Sequence, residues 1–185
     1  MLHFLALPVT EEISFVQPTL EQAEAIFNTV DNDRKHLGEF LDFIDTTKSI
    51  ADEVAFLKMK ITGEANGTDR LFLIYYQDQL AGSIDLHFID QKNKKAEIGY
   101  WIYSGFANKG IVSASVRKIC EIAFNDLHLN KLTLIADTEN IASNKVAQKC
   151  GFTFVATDKE DVVRYGKFHD MNRYCLLKQD YLKNQ

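Results

Sequence analysis

Apolar positions along the chain follow two rhythms, and the switches between them mark its elements. Period-two alternation and β-branched or aromatic density predict strands over residues 12–17, 71–76, 80–89, 95–103 and 131–137. Helical spacing predicts a helix from Leu20 to about Val30, which Thr19 can cap after Pro18. A second follows over 36–44, with Leu37, Phe40, Leu41 and Ile44 in register. A third begins after Ser49, carries Ile50, Val54, Leu57 and Ile61 on one side, and ends at Asn66-Gly67. A longer helix over 111–127 turns Val112, Val116, Ile119, Cys120 and Ala123 inward. A short one over 140–150 is closed by Gly151. Strands over 152–156 and 172–178 complete the set, and the polar stretch 158–169 between them reads as a loop.

Turns at Asp78-Gln79 and Gln91-Lys92-Asn93 join three strands into an antiparallel meander. The helix after residue 110 then requires a crossover, so the strand over 95–103 lies parallel to that over 131–137. The expected architecture is α+β: a mixed, mostly antiparallel sheet of about seven strands with helices on both faces. All 185 residues read as one domain, and no repeat or linker-like stretch interrupts them.

Composition narrows the function. A chain this long buries roughly 70% of its unfolded surface, and 46% apolar residues suffice for a core without metal or disulfides. The net charge of −5 excludes a generic nucleic-acid or anionic-membrane face and suits a cationic amine ligand. Cys120, Cys150 and Cys175 are far apart and form no C-x-x-C pair, as in a reducing compartment. The apolar stretch from Leu2 to Val9 lacks a basic flank and a cleavage site, and nothing approaches the ~20 apolar residues of a membrane span. A cytoplasmic protein is expected. His3, His36, His87, His128 and His169 show no metal-ligand spacing, so no metal is expected.

The block from Ala96 to Val112 carries the chemistry. It reads as a strand, a glycine-punctuated loop and a helix start. The first turn of a helix exposes unpaired N–H groups at the positive end of its dipole, which favours phosphate. Gly110 permits close approach and Lys109 adds charge. Gly105 to Gly110 spells G-x-x-x-x-G, but Ile111-Val112 stand where a P-loop needs Lys-Ser/Thr, and no G-x-G-x-x-G occurs. Spacing alone leaves a phosphate cradle and a tight strand–helix turn equally open.

With its partner segment TENIASNKVAQKCGF, the block AEIGYWI…GFANKGIV resembles the Gcn5-related N-acetyltransferases, and within them the RimJ/RimL group of ribosomal-protein N-terminal acetyltransferases. The resemblance covers roughly residues 71–177 well and the N-terminal helices loosely. It implies that the two central parallel strands splay and that acetyl-CoA is the cosubstrate lying in the gap. The backbone of Trp101, Ile102 and Tyr103 would pair with the pantetheine amides, with Asn140 nearby. Amides of Asn108, Lys109, Gly110, Ile111, Val112 and Ser113 would hold the pyrophosphate. Against the family loop Gln/Arg-x-x-Gly-x-Gly/Ala, Gly110 matches, while Ala107 replaces Gln/Arg and Val112 the small residue. Asn108 stands where this group commonly has Gly.

The resemblance also assigns candidate catalytic groups. Glu97 occupies the strand position of a general-base glutamate in some members; otherwise it is a solvated residue or a partner for Lys95. Ser143 of Asn140-Ile141-Ala142-Ser143 matches a serine proposed to protonate the departing thiolate. It also suits the N3 position of a helix capped by Asn140. A base in the loop after Gly151-Phe152 would fall near Val162, beside Glu160 and Asp161. Phe40, Phe43 and Phe56 could wall an acceptor groove. The implied activity is transfer of an acetyl group to a primary amine, first a protein N-terminal amine. Alternatives are a polyamine or aminoglycoside-like amine, or a non-catalytic CoA-binding protein. Exposed sheet edges make a homodimer plausible.

Overall fold

The computed structural model describes residues 5–183. Its strands are β1 (Ala6–Pro8), β2 (Ile13–Val16), β3 (Arg70–Tyr76), β4 (Gln79–Asp90), β5 (Lys95–Ile102), β6 (Lys131–Asp137), β7 (Thr153–Arg164) and β8 (Lys167–Leu177). They form one sheet in the order β1-β2-β3-β4-β5-β6-β8-β7. β5 and β6 pair in parallel, and the other neighbours pair antiparallel. The helices are α1 (Ala23–Asp31), α2 (Arg34–Leu37), α3 (Ile50–Asn66), α4 (Ile111–Glu121), α5 (Ile141–Lys149) and α6 (Lys178–Lys183). None is long and apolar enough to cross a membrane.

Strand alternation divides the core between the two faces of the sheet. On one face Ile84, Leu86, Ile98, Leu132 and Leu134 pack with Ile111, Val116 and Ile119 of α4 and Ala147 of α5. On the other, Val16, Leu71, Leu73 and Trp101 pack with Ile26 and Val30 of α1 and Leu57 of α3. Glu97 and Gly99 share the parity of Trp101, so they belong to the α1/α3 face.

The mixed sheet and its crossover are as the pattern predicts, with five differences. The stretch 158–169 is not a loop: β7 and β8 run through it and meet at Tyr165-Gly166, both with positive φ (50° and 74°). Such a two-residue turn matches strand twist, and the polar residues around it fit because much of β7 is exposed. The stretch 36–44 breaks after the single turn of α2, and 3-10 geometry resumes at Asp42–Asp45. The helix predicted to Leu127 leaves α geometry after Glu121, where a π turn carries Leu127 N–H to Ile122 O. β1, the eighth strand, lies in the N-terminal apolar stretch, and α6 adds a C-terminal helix.

Helix α3 buries an acid. Glu53 is 3% exposed on its inner face, and burial pushes its carboxyl up to about 7 from 4.5. Between those values the folded chain holds a proton that the unfolded chain releases, so stability falls as pH rises through this window. Glu53→Gln is expected to raise unfolding free energy at pH 8 by about 1–3 kcal/mol and to change it little at pH 4. Urea unfolding at the two pH values checks this.

Candidate active site

Register pairs between β5 and β6 run from Lys95↔Lys131 to Ile98↔Leu134. Beyond them β5 continues to Ile102, paired along its other edge to β4, and β6 continues to Asp137, paired to β8. Each strand is held from outside, so the two part at Gly99 and Ile135. A cavity of about 380 Å³ occupies the gap. Glu97, Trp101, Ile102, Val112, Asn140 and Ser143 all line it.

The loop to α4 is built for close approach. Asn108 and Gly110 have φ of 63° and 76°. Asparagine is among the few residues that tolerate this left-handed region, so it can stand in for glycine. Gly110 is the N-cap of α4, leaving the first-turn amides of Ile111, Val112 and Ser113 without intrahelical acceptors. The Ile111 side chain is buried in the core, and the Ser113 backbone carbonyl accepts from Cys150 Sγ at 3.5 Å. Lys109 Nζ lies over the rings of Tyr76 and Phe106, 5.0 and 5.5 Å from their centroids. Tyr103 N donates to Ala81 O at 2.8 Å, so its amide is committed to the protein. Trp101, two residues back and opposite Ser83, likewise turns its backbone groups to β4, so the expected strand-like edge narrows to Ile102.

Helix α5 presents Ser143. Asn140 caps it, accepting from Ser143 N at 3.0 Å, so the capping role holds beside any other. Asn144 fixes the helix: it donates to Asp137 O and Asn140 O and accepts from Asn172 Nδ2 and Tyr174 Oη. Tyr100 Oη is buried with no hydrogen-bond partner among the described residues. Burial pushes its phenol up to about 12, against which the adjacent Ser143 hydroxyl acts weakly. Tyr100 and Ser143 both line the cavity, with the Tyr100 hydroxyl itself buried.

At the other end stand His36, Leu37, Phe40, Leu41, Met171, His87 and Glu97. Of the three phenylalanines proposed as a wall, Phe40 lines the cavity, whereas Phe43 and Phe56 are solvent-exposed. Glu97 is paired neither with solvent alone nor with Lys95. Its Oε1 lies 3.2 Å from His87 Nε2, and His87 Nδ1 lies 3.3 Å from Asp85 Oδ1. Asp85 Oδ2 in turn accepts from Lys60 Nζ at 2.6 Å.

Asp137, at the end of β6, is 2% exposed. It accepts from Glu139 N and Arg164 Nη1, both at 2.8 Å, and His169 Nδ1 lies 2.8 Å away. Burial alone would raise its carboxyl pKa, but the Glu139 amide, Arg164 and His169 hold it below the usual range. Arg164 Nε also reaches Asp42 at 2.7 Å, and Tyr165 Oη donates to Gly38 O at 3.2 Å. The β7–β8 hairpin is thereby tied to the segment after α2. Glu160 and Asp161 are exposed on β7 and do not line the cavity. His128 is exposed, and His3 lies outside the described residues. A second cavity of about 580 Å³, between α4 and the end of α5, holds none of the predicted residues except at its Cys120 and Cys150 wall.

Residues 13–153 match the model of the acetyltransferase (GNAT) domain. The chain belongs to this family. It is 31% identical over 176 residues to YdaF of Bacillus subtilis (strain 168), provisionally named a ribosomal N-acetyltransferase, covering 94% of this chain and 95% of that one. The microcin C7 self-immunity acetyltransferase MccE, solved with acetyl-CoA and AMP, superposes with a TM-score of 0.86 at 26% identity over 91% of this chain and 94% of that one. RimL, the ribosomal L7/L12 α-N-protein acetyltransferase solved with coenzyme A, matches in fold with a TM-score of 0.90 at 24% identity, over 94% and 98% of the two chains. The GNAT fold and N-acetyltransferase class inferred from the paired motifs are therefore those of this chain.

The residues that motif reading missed are His87, Asp85, Lys60, Asp137 and Arg164. A signal existed for two of them. Asp85 and His87 alternate with Ile84 and Leu86, which places them across the meander from Gly99 and Glu97. The contact of Arg164 with Asp42 spans 122 residues, and no local pattern reports it.

Proposed function

We propose that this chain acetylates a primary amine with acetyl-CoA as cosubstrate, and that the acceptor is a protein N-terminal α-amine. The observation that carries the reading is the β5–β6 gap, with Glu97 and Ser143 lining one cavity. The residues fit the cosubstrate. Ile102 offers a strand edge toward the gap, and the amides at the start of α4 suit a pyrophosphate. When bound, acetyl-CoA supplies an acetyl thioester whose C–S bond breaks as the amine N–C bond forms. Glu97 takes the proton released by the amine, directly or through water. Ser143, backed by Tyr100, donates toward the sulfur.

An α-amine has a pKa of about 7.7–8.0 against about 10.4 for lysine, so a carboxylate base suffices. Names of relatives support the acceptor class: YdaF, and an Escherichia coli ribosomal-protein-serine acetyltransferase at 22% identity. A second reading is a polyamine acceptor, which the acidic net charge of −5 suits. A spermidine N(1)-acetyltransferase at 25% identity over 62% of this chain also favours it.

A thiol-release assay with acetyl-CoA decides between them. Peptides with free N-termini are expected to turn over at least about tenfold faster in kcat/KM than spermidine, a difference of about 1.4 kcal/mol in transition-state binding. The reverse order supports the polyamine. No calorimetric binding at millimolar acetyl-CoA overturns the enzymatic reading.

A further inference from the structure

We propose that His87 is a positioning residue for Glu97, holding one oxygen of that carboxylate and leaving the other for the amine. The proposal rests on the reading of Glu97 as proton acceptor. It starts from the chain of contacts that ends at the cleft. Asp69 Oδ1 and Asp85 Oδ2 both accept from Lys60 Nζ, at 2.7 and 2.6 Å. Asp85 Oδ1 faces His87 Nδ1, and His87 Nε2 faces Glu97 Oε1. Side-chain exposure rises steadily along it: 10% at Lys60, 13% at Asp85, 22% at His87 and 26% at Glu97. The chain is anchored in α3 and opens at the two members that line the cavity.

Local geometry serves this arrangement. His87 and Glu97 are directly opposed on β4 and β5, as are Asp85 and Gly99. A Cβ at residue 99 would stand 2.8 Å from Asp85 Oδ1 and 3.1 Å from His87 Cε1. The bare glycine gives the imidazole its place over β5. Phe88 packs edge-on against the ring, with centroids 4.9 Å apart.

The groups facing His87 are Asp85 on its own strand and Glu97 on β5, with Lys60 of α3 and Asp69 behind Asp85. His36 of α2 lines the same cavity. Burial would lower the imidazole pKa, but the two carboxylates outweigh it and bring it to about 9. At neutral pH both ring nitrogens then donate, one to each acid. A donor here occupies Glu97 Oε1 and leaves Oε2 unengaged by the ring. A hydrogen-bonded carboxylate is also fixed in rotation, and misplacement of a reacting group by about 1 Å can cost 10²-fold in rate.

The test compares His87→Leu, His87→Gln and Glu97→Gln with the parent enzyme, using kcat between pH 6 and 10 and calorimetric acetyl-CoA affinity. His87→Leu is expected to lower kcat by about 10–100-fold and leave cosubstrate affinity within about twofold. His87→Gln, which keeps a donor but does not titrate, recovers most of the rate and loses the alkaline limb near pH 9. If His87→Leu retains full kcat while Glu97→Gln does not, the positioning role is wrong and the base stands. If Glu97→Gln retains full kcat, the base assignment fails and the proposal with it. Should His87→Leu not fold, an unchanged alkaline limb in His87→Gln overturns the proposal.

Discussion

Replacing Glu97 by glutamine is expected to lower kcat by about 10²–10⁴-fold, the usual contribution of a positioned general base. Glutamine keeps the size of the side chain, and its oxygen still accepts from His87 Nε2. What it removes is the capacity to take a proton. Acetyl-CoA affinity should stay within about twofold, because Glu97 faces the α1/α3 side of β5 while the proposed cofactor contacts are backbone groups at Ile102 and at the start of α4. The loss should be smaller for an α-amine than for a lysine amine, whose higher pKa (about 10.4) leaves far less of it neutral. Imidazole titration gives a second readout. One of the two carboxylates that raise the His87 pKa is neutralised, so its value should fall below about 9. A variant with kcat within threefold of the parent would sink the assignment.

Much of this site was legible because its pieces are local. The strand 95–103, the Gly110 turn and the Asn140–Ser143 helix start are each written in a few adjacent residues, and short-range rules read them. The splay is different in kind. It follows from β4 and β8 holding β5 and β6 along opposite outer edges, and that pairing is a property of the whole sheet. Side-chain direction was harder still. Lys109 looked like charge for a phosphate because it neighbours Gly110, yet it lies on two aromatic rings contributed by β3 and by the loop before α4. Ser143 and Asn140 were each given two roles, and the capping role is visible in a 3.0 Å hydrogen bond.

The β7–β8 hairpin shows where reading by polarity fails. Residues 158–169 carry many charges, and charge alone points to a loop. An edge strand is allowed to be charged, since its exposed side needs no apolar residues and charge discourages edge-to-edge pairing. Tyr165-Gly166 between Val162-Val163 and Phe168 was the better signal. Missing the hairpin also hid Arg164, which sits at its end and ties it to Asp42 and Asp137.

That tie carries the largest stability effect expected of a single substitution. Arg164 has 5% side-chain exposure and Asp137 1%, so their pair is buried, while Asp42, the other partner of Arg164, is 61% exposed. A buried ion pair gains little over a well-packed apolar pair, because both charges have left water. Removing one partner is another matter, for it strands the remaining charge. Asp137→Ala should therefore cost about 3–5 kcal/mol. In a chain of this size that lowers Tm by roughly 2–4 °C per kcal/mol. Arg164→Met should cost less, since Asp137 keeps the Glu139 amide and His169. In the double variant the two costs should fall well short of adding, as expected for groups in contact. The sign with pH follows from the depressed Asp137 pKa. The stability it confers is present above the unfolded carboxylate pKa and is lost as pH falls through the folded value. Calorimetric melts of parent and Asp137→Ala should thus differ most near neutrality and converge in acid. A gap that persisted unchanged at low pH would mean that the side chain acts through packing rather than charge.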